Sequence, residues 1–329
     1  MNNQLFDIAC YQPFDLLLSS YKYFSKIHPD KYIITRHDLW PIHVLILSYL
    51  KIPIYYINAN VHSKSIWLRP FGKLVANSVL CKIKLFLVPS QRIKNKLIKL
   101  VNNSNIIVTG DSRFNQITDR FKLNKDVDLF PELLNSFNII FGSYDVFDEK
   151  LILKSIEKKY PKGDQSLKDK NHNIILVPHE IHEKNIANLI INLAQVGFNP
   201  LLYSKYKRSD IKVNNNIIIV NKTGILAELY KYAKIAYVGS GFGRGVHSVI
   251  EPAVYGCAIA FGPNFGLLDE AKDLIKNKSC LIIKNQNNMD NFLNLNDHLD
   301  QISTLGNGAK NFMNQNPDIA NTILNYILK

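Results

Sequence analysis

The sequence predicts an α/β protein built on two doubly wound parallel sheets, and three observations carry that prediction. Short apolar runs alternate with amphipathic stretches through most of the 329 residues, as buried parallel strands joined by crossover helices do. The length suffices for two domains, each with its own core. Hydrophobic residues make up 47% and charged residues 20% of the chain, the balance of a globular protein rather than a disordered one.

Taken in order, KYIIT (31–35), IPIYYINA (52–59), LFLVPS (85–90) and NIIVTG (105–110) read as strands. Between them PIHVLILSYLK, PFGKLVANSVLCK and QRIKNKLIKLVN have roughly helical spacing. Four strands fall short of the six or so in a complete nucleotide-binding domain, so the chain is expected to begin part-way through a domain. Residues 115–136 are charged, weakly patterned and read as a linker. Strands resume at 137–143, 173–179, 198–204, 216–221, 235–240 and 258–263, with helices at 147–160, 182–196, 224–233, 247–256 and 266–277. KGDQSLKDKNHN (162–173) reads as a polar surface loop and DIANTILNYILK as a terminal amphipathic helix. The expected domains are 1–134 (a partial N-terminal α/β domain), 135–312 (a sugar-nucleotide domain) and a terminal helix at 313–329.

The formal charge of +13 points to a polyanionic partner or to a Lys-rich composition alone. No RNA-binding signature and no basic helix with interleaved aromatics is present, which argues against nucleic acid. Cys10, Cys81, Cys257 and Cys280 form no CxxC pair; they read as buried free thiols of a reducing compartment, not a zinc site. MNNQLFDIACYQPFD lacks a basic start and a long apolar stretch, so no signal peptide is expected. PIHVLILSYLKIPIYYI carries His43, Lys51 and Pro53 and reads as helix, turn and strand rather than a membrane span.

The chemistry concentrates in AYVGSGFGRGVHSVIEPAVYG (236–256), with four glycines in seven residues between a strand and a helix expected near His247. Bare glycine lets backbone N–H groups approach an anion, and a helix start adds its positive dipole end. A tight turn that only packs strand on helix is the plainer alternative. There is no Gly-Lys-Ser/Thr for a Walker loop, and the dinucleotide fingerprint fits poorly. His247 and Glu251, four apart, are expected on one helix face, where a carboxylate can hold ribose hydroxyls. A glycine loop leading to a helix with Glu resembles the donor site of GT-B glycosyltransferases.

The segment from Gly224 to Ile275 is similar to the donor-binding stretch of bacterial 3-deoxy-D-manno-octulosonic acid (Kdo) transferases. Further resemblances keep their order: TRHDLWP (35–41), INANVHSKS (57–65), VTGDSRFNQI (108–117), FGSYDVFDE (141–149) and VPHEIHEKNI (177–186). The resemblance implies a GT-B fold and an inverting transfer, without cofactor or nucleotide-coordinating metal, from CMP-Kdo to a lipid A precursor. By the same resemblance Arg113 would face the donor phosphate, and Ser143, His179 and Glu180 would line the CMP pocket. Gly224 would offer backbone contacts to the nucleotide. Gly241, Gly243 and Gly245 would hold phosphate or the Kdo carboxylate, followed by His247, Ser248 and Glu251, with Glu251 on ribose. Trp40 reads as core.

Departures from the family pattern set the remaining expectations. The family's N-terminal apolar helix and its Gly-Glu motif, whose Glu is the presumed base, have no match in MNNQLFDIACYQPFD. Ser248 stands where Asn is usual, SYDVF (143–147) loses the usual Thr-His/Trp residues, and Arg36 stands where many members are acidic. Of Asp38 and Asp111, Asp38 at a strand end is the better candidate base; an N-cap for the next helix is its alternative role. Three functional readings stand. One is a Kdo-transferase-like enzyme acting peripherally at the cytoplasmic face of the inner membrane, its charge suited to anionic lipid. The second is a donor-binding subunit or remnant, with a separate chain supplying the N-terminal part. The third is another GT-B enzyme such as a nucleotide-sugar epimerase, whose loop usually reads Gly-(Asn/Asp)-Ser-(Ser/Gly)-Gly.

Overall fold

The computed structural model describes residues 7–36, 38–60, 70–101, 105–123, 133, 135–205, 215–315 and 318–329. The chain divides into two compact units, Met1–Ser112 with Asp318–Lys329, and Arg113–Pro317. The division therefore falls at Ser112/Arg113 rather than at 134/135, and the last helix belongs with the first unit.

The first unit contains α1 (Leu17–Ile27), β1 (Tyr32–Thr35), α2 (Pro41–Tyr49), β2 (Ile54–Ile57), α3 (Pro70–Leu80), β3 (Leu85–Val88), α4 (Gln91–Ile98) and β4 (Ile106–Val108). The strands lie parallel in the order β1-β2-β3-β4. Ile54, Phe86, Val88, Val44 and Leu47 are fully buried between sheet and helices. Asp38 does not cap α2. Asp15 does: its Oδ1 accepts from the N–H groups of Ile42 (3.0 Å) and His43 (3.1 Å), satisfying donors that a helix start leaves open. Trp40, expected in the core, is 46% exposed. Among the cysteines, Cys257 is buried but Cys10 and Cys81 are exposed; all four are free thiols.

The second unit runs α5 (Arg113–Lys122), β5 (Phe137–Tyr144), α6 (Val146–Lys159), α7 (Asp164–Lys170), β6 (His172–Pro178), α8 (Glu183–Gln195), β7 (Leu201–Leu202), β8 (Ile217–Ile219), α9 (Leu226–Leu229), β9 (Ile235–Val238), α10 (Ile250–Val254), β10 (Ala258–Phe261), α11 (Asp269–Lys276), β11 (Cys280–Ile282), α12 (Gln286–Leu293) and α13 (Leu299–Asn314). Its seven strands are parallel, in the order β11-β10-β9-β5-β6-β8-β7. β5, β6, β9 and β10 are buried along nearly their whole length, as central strands covered on both faces must be. The final helix, α14 (Ile319–Leu328), returns to the first unit, where Lys31 Nζ donates to the Ile327 carbonyl (2.6 Å).

Three local expectations are corrected. The start of the expected linker is α5, held by an aromatic contact of Phe114 with Phe312 (5.4 Å) and of Phe121 with Tyr255 (5.1 Å); residues 124–132 and 134 lie outside the described residues. The expected polar loop contains α7, which buries Ser166 and Leu167. The helix expected at 247–256 is only Ile250–Val254. Pro252 explains the late start: in a helix begun at 247 its ring would meet the carbonyl of Ser248, whereas in a first turn it is tolerated.

Candidate functional site

The strand order of the second unit reverses between β5 and β9. In open α/β sheets, ligands bind beyond the carboxyl ends of the strands at such a switch point. Ser143 and Tyr144 end β5, His179 and Glu180 follow β6, and Gly239 to His247 follow β9.

A ring of hydrogen bonds joins these three ends. Ser143 has φ +53° at an irregularity in the β5–β6 pairing, and its Oγ lies 3.0 Å from His179 Nδ1. The His179 ring stacks on His247 at 4.6 Å. His247 Nε2 lies 3.0 Å from Ser240 Oγ, and Ser240 Oγ donates to the Ser143 carbonyl (3.2 Å). A hydroxyl has one proton. With the Ser240 proton on the Ser143 carbonyl, His247 Nε2 carries the hydrogen and Nδ1 keeps its lone pair; with the proton toward His247, the tautomer is the reverse. Burial, then the neighbouring His179, pushes the His247 pKa down, which keeps this ring neutral. His247 thus precedes the helix and does not share a helix face with Glu251.

Asp148 sets the loop from beneath. Its carboxylate accepts from Tyr237 Oη (2.7 Å) and from the N–H groups of Ser240 (2.5 Å) and Asp145 (3.0 Å). Asp145 caps α6 in return, accepting from Phe147 N (2.9 Å) in a capping box. The glycines of the loop split by role. A Cβ on Gly241 would lie 2.5 Å from the Gly262 Cα, and one on Gly243 would collide with the Asp145 carboxylate. Both are therefore needed for close packing. Gly245 has φ +121°. Asn264 fixes the loop by donating to the carbonyls of Gly241 (2.9 Å) and Gly243 (2.8 Å). The N–H groups of Gly241, Phe242 and Arg244 meet no acceptor among the described residues. They remain available to an anion, while the Asp145 carboxylate behind Gly243 disfavours one there.

A second cluster surrounds Glu251. Arg120 makes a forked pair with Glu228 (2.5 and 2.7 Å) and donates to the Gly224 carbonyl (3.0 Å). Gly224 has φ +82° and open space where a side chain would project. Burial raises the Glu251 pKa, opposed chiefly by Arg120. Arg113, expected on the donor phosphate, bonds Glu270 at 2.9 Å, and it belongs to the second unit. The buried Glu270 carboxylate at the start of α11 supplies the physical reason, because a buried charge needs a counterion. Ser248 Oγ is buried without a hydrogen-bond partner among the described residues. Arg244 pairs with Glu180 at 3.3 Å on the surface. Asp38 and Asp111 lie in the first unit, Asp38 exposed and Asp111 buried.

Ser240, Asp148, Tyr237, Arg120 and Glu228 were not among the expected site residues. Only Asp148 left a trace, as the fourth residue of DVFD after a strand, a capping-box spacing. In the first unit, Asn58 of INANVHSKS and Ser112 of VTGDSRF are joined by two hydrogen bonds, 2.7 and 3.1 Å; residues 61–65 of the former motif lie outside the described residues.

Comparison with known proteins agrees with this architecture. The family described as 3-Deoxy-D-manno-octulosonic-acid transferase (kdotransferase) matches residues 1–116. A 3-deoxy-D-manno-octulosonic acid transferase of Rickettsia prowazekii is 27% identical over 332 residues, covering 96% of this chain and 67% of that protein. The chain is similar to Kdo transferases, in its N-terminal third by the family match and over nearly its whole length by this relative. It thus spans about two thirds of the length of this relative. Among solved structures, a putative UDP-N-acetylglucosamine 2-epimerase from Listeria monocytogenes superposes with TM-score 0.65 at 12% identity, covering 94% of this chain and 77% of that one. A glycosyltransferase from Rickettsia africae gives TM-score 0.61 at 15% identity, covering 98% and 82%. These likenesses establish the GT-B type of fold for this chain. The similarity to these relatives supports a transferase.

Proposed function

We propose that this chain transfers Kdo, with inversion, from CMP-Kdo to a lipid A precursor in lipopolysaccharide synthesis. The single observation that supports this reading is the ring of Ser143, His179, His247 and Ser240 at the switch point, flanked by the unpaired N–H groups of Gly241, Phe242 and Arg244. A cytidine monophosphate ester brings one phosphate and one ribose, and Kdo brings a carboxylate. Backbone N–H groups suit the anionic oxygens. A neutral imidazole and two hydroxyls can bond phosphate or sugar oxygens without holding a fixed charge. Glu251, half-buried, suits the ribose hydroxyls, and Gly224 leaves room for the base.

In this reading Asp38 takes the proton of the attacking acceptor hydroxyl as a general base, no metal holds the nucleotide, and the net charge of +13 draws the chain to anionic lipid at the cytoplasmic face of the inner membrane. Among the described residues no helix is long and apolar enough to cross a membrane. Arg113 would turn from Glu270 to the donor phosphate only if the ester outbids that carboxylate, so its contribution is smaller than that of the loop.

Purified chain mixed with CMP-Kdo and lipid A precursor should release CMP. Calorimetry with CMP-Kdo alone separates binding from transfer: donor binding without CMP release favours a donor-binding subunit that needs a further chain. Glu251→Ala should weaken donor binding about tenfold, the effect of losing a charge-assisted hydrogen bond. Unchanged donor binding in Glu251→Ala and His247→Ala together would place the site elsewhere.

A further inference from the structure

We draw no further inference here: the strongest candidate, the open outer edge of β1 with exposed Ile33 and the exposed apolar side chains of α1 and α2 in the first unit, is an unpartnered apolar face, and nothing in the structure shows what covers it.

Discussion

The imidazoles of His179 and His247 lie 4.6 Å apart with their planes inclined by 25°. Two stacked imidazoles cannot both be protonated without repulsion, and His247 is the one that burial holds neutral. His43 and His172 are likewise depressed by burial, His172 to about 4. A histidine whose folded pKa is lowered leaves stability intact above its ordinary value of 6.5 and removes it as pH falls toward the folded value, because the unfolded chain then binds more protons. Burial raises Asp148, Glu149 and Glu251, and these act in the opposite direction over part of the same range. The clean measurement is therefore a difference. The melting temperature of His172→Gln minus that of the parent should rise as pH falls from about 6.5 to about 4 and be flat above about 7. His247→Gln should behave in the same sense. A difference independent of pH would show that these rings are not held neutral by the fold.

Asp148 is the hub beneath the loop. Replacing it by Ala strips the acceptor from Tyr237 Oη and from the N–H groups of Ser240 and Asp145. Buried donors left unpaired cost about 1–3 kcal/mol each, part of which relaxation and water recover, so Asp148→Ala should lose roughly 3 kcal/mol in urea unfolding. Asp148→Asn keeps one acceptor oxygen but turns an amide toward remaining donors, and should fall between. A loss below about 0.5 kcal/mol in the Ala variant, the size of an ordinary surface change, would mean that the loop holds itself.

The strands of both sheets were legible because central parallel strands must be apolar along their length. IAYV and AIAF are buried at every position, as is the III of β8. Helices hidden in polar sequence were not legible. α5 buries Phe114 alone along its length, and its apolar residues Phe114, Ile117 and Phe121, though helically spaced, are few among charged and polar neighbours. The same holds for α7, while β11 and α13 follow the glycine-loop segment without a composition shift. In the site, the sequence pointed to His179, Ser143 and His247, yet the bonds and stacking that bring them together depend on a positive φ at Ser143 that nothing in FGSYD announces. The pairing of Arg113 with Glu270, 157 residues apart, is a tertiary choice between two anions, which local sequence cannot rank.

Gly241 and Gly224 should respond differently to the same substitution. At Gly241 a methyl would press on the Gly262 backbone at 2.5 Å, and two strand-end loops would have to part; overpacking of that kind costs about 1–3 kcal/mol. At Gly224 the methyl meets nothing within 4 Å, and only φ +82° resists it, worth about 1 kcal/mol. Gly241→Ala should thus be the more destabilising in urea unfolding, and it should weaken CMP-Kdo binding, whereas Gly224→Ala should keep the fold. The reverse order would mean that the β9 and β10 loops are not in contact.

Arg120 is expected to tune Glu251 as well as hold Glu228. Its guanidinium is 41% exposed against 8% for the Glu228 side chain, so the pair is neither a free surface bridge nor a fully buried one. Removing the arginine strands a buried carboxylate, which costs more than removing the glutamate: about 2 kcal/mol for Arg120→Ala, once partial exposure is allowed for. Glu228→Gln leaves Arg120 in reach of the Gly224 carbonyl and of water, and should cost about 1 kcal/mol or less. Arg120 is the leading influence that lowers Glu251, so Arg120→Ala should push the Glu251 pKa still higher, while Glu228→Gln, which removes a neighbouring negative charge, should bring it down. Carbon-detected NMR titration of the Glu251 carboxyl reads both shifts. If the two variants move it in the same direction, Arg120 and Glu228 do not act on Glu251 as separate charges.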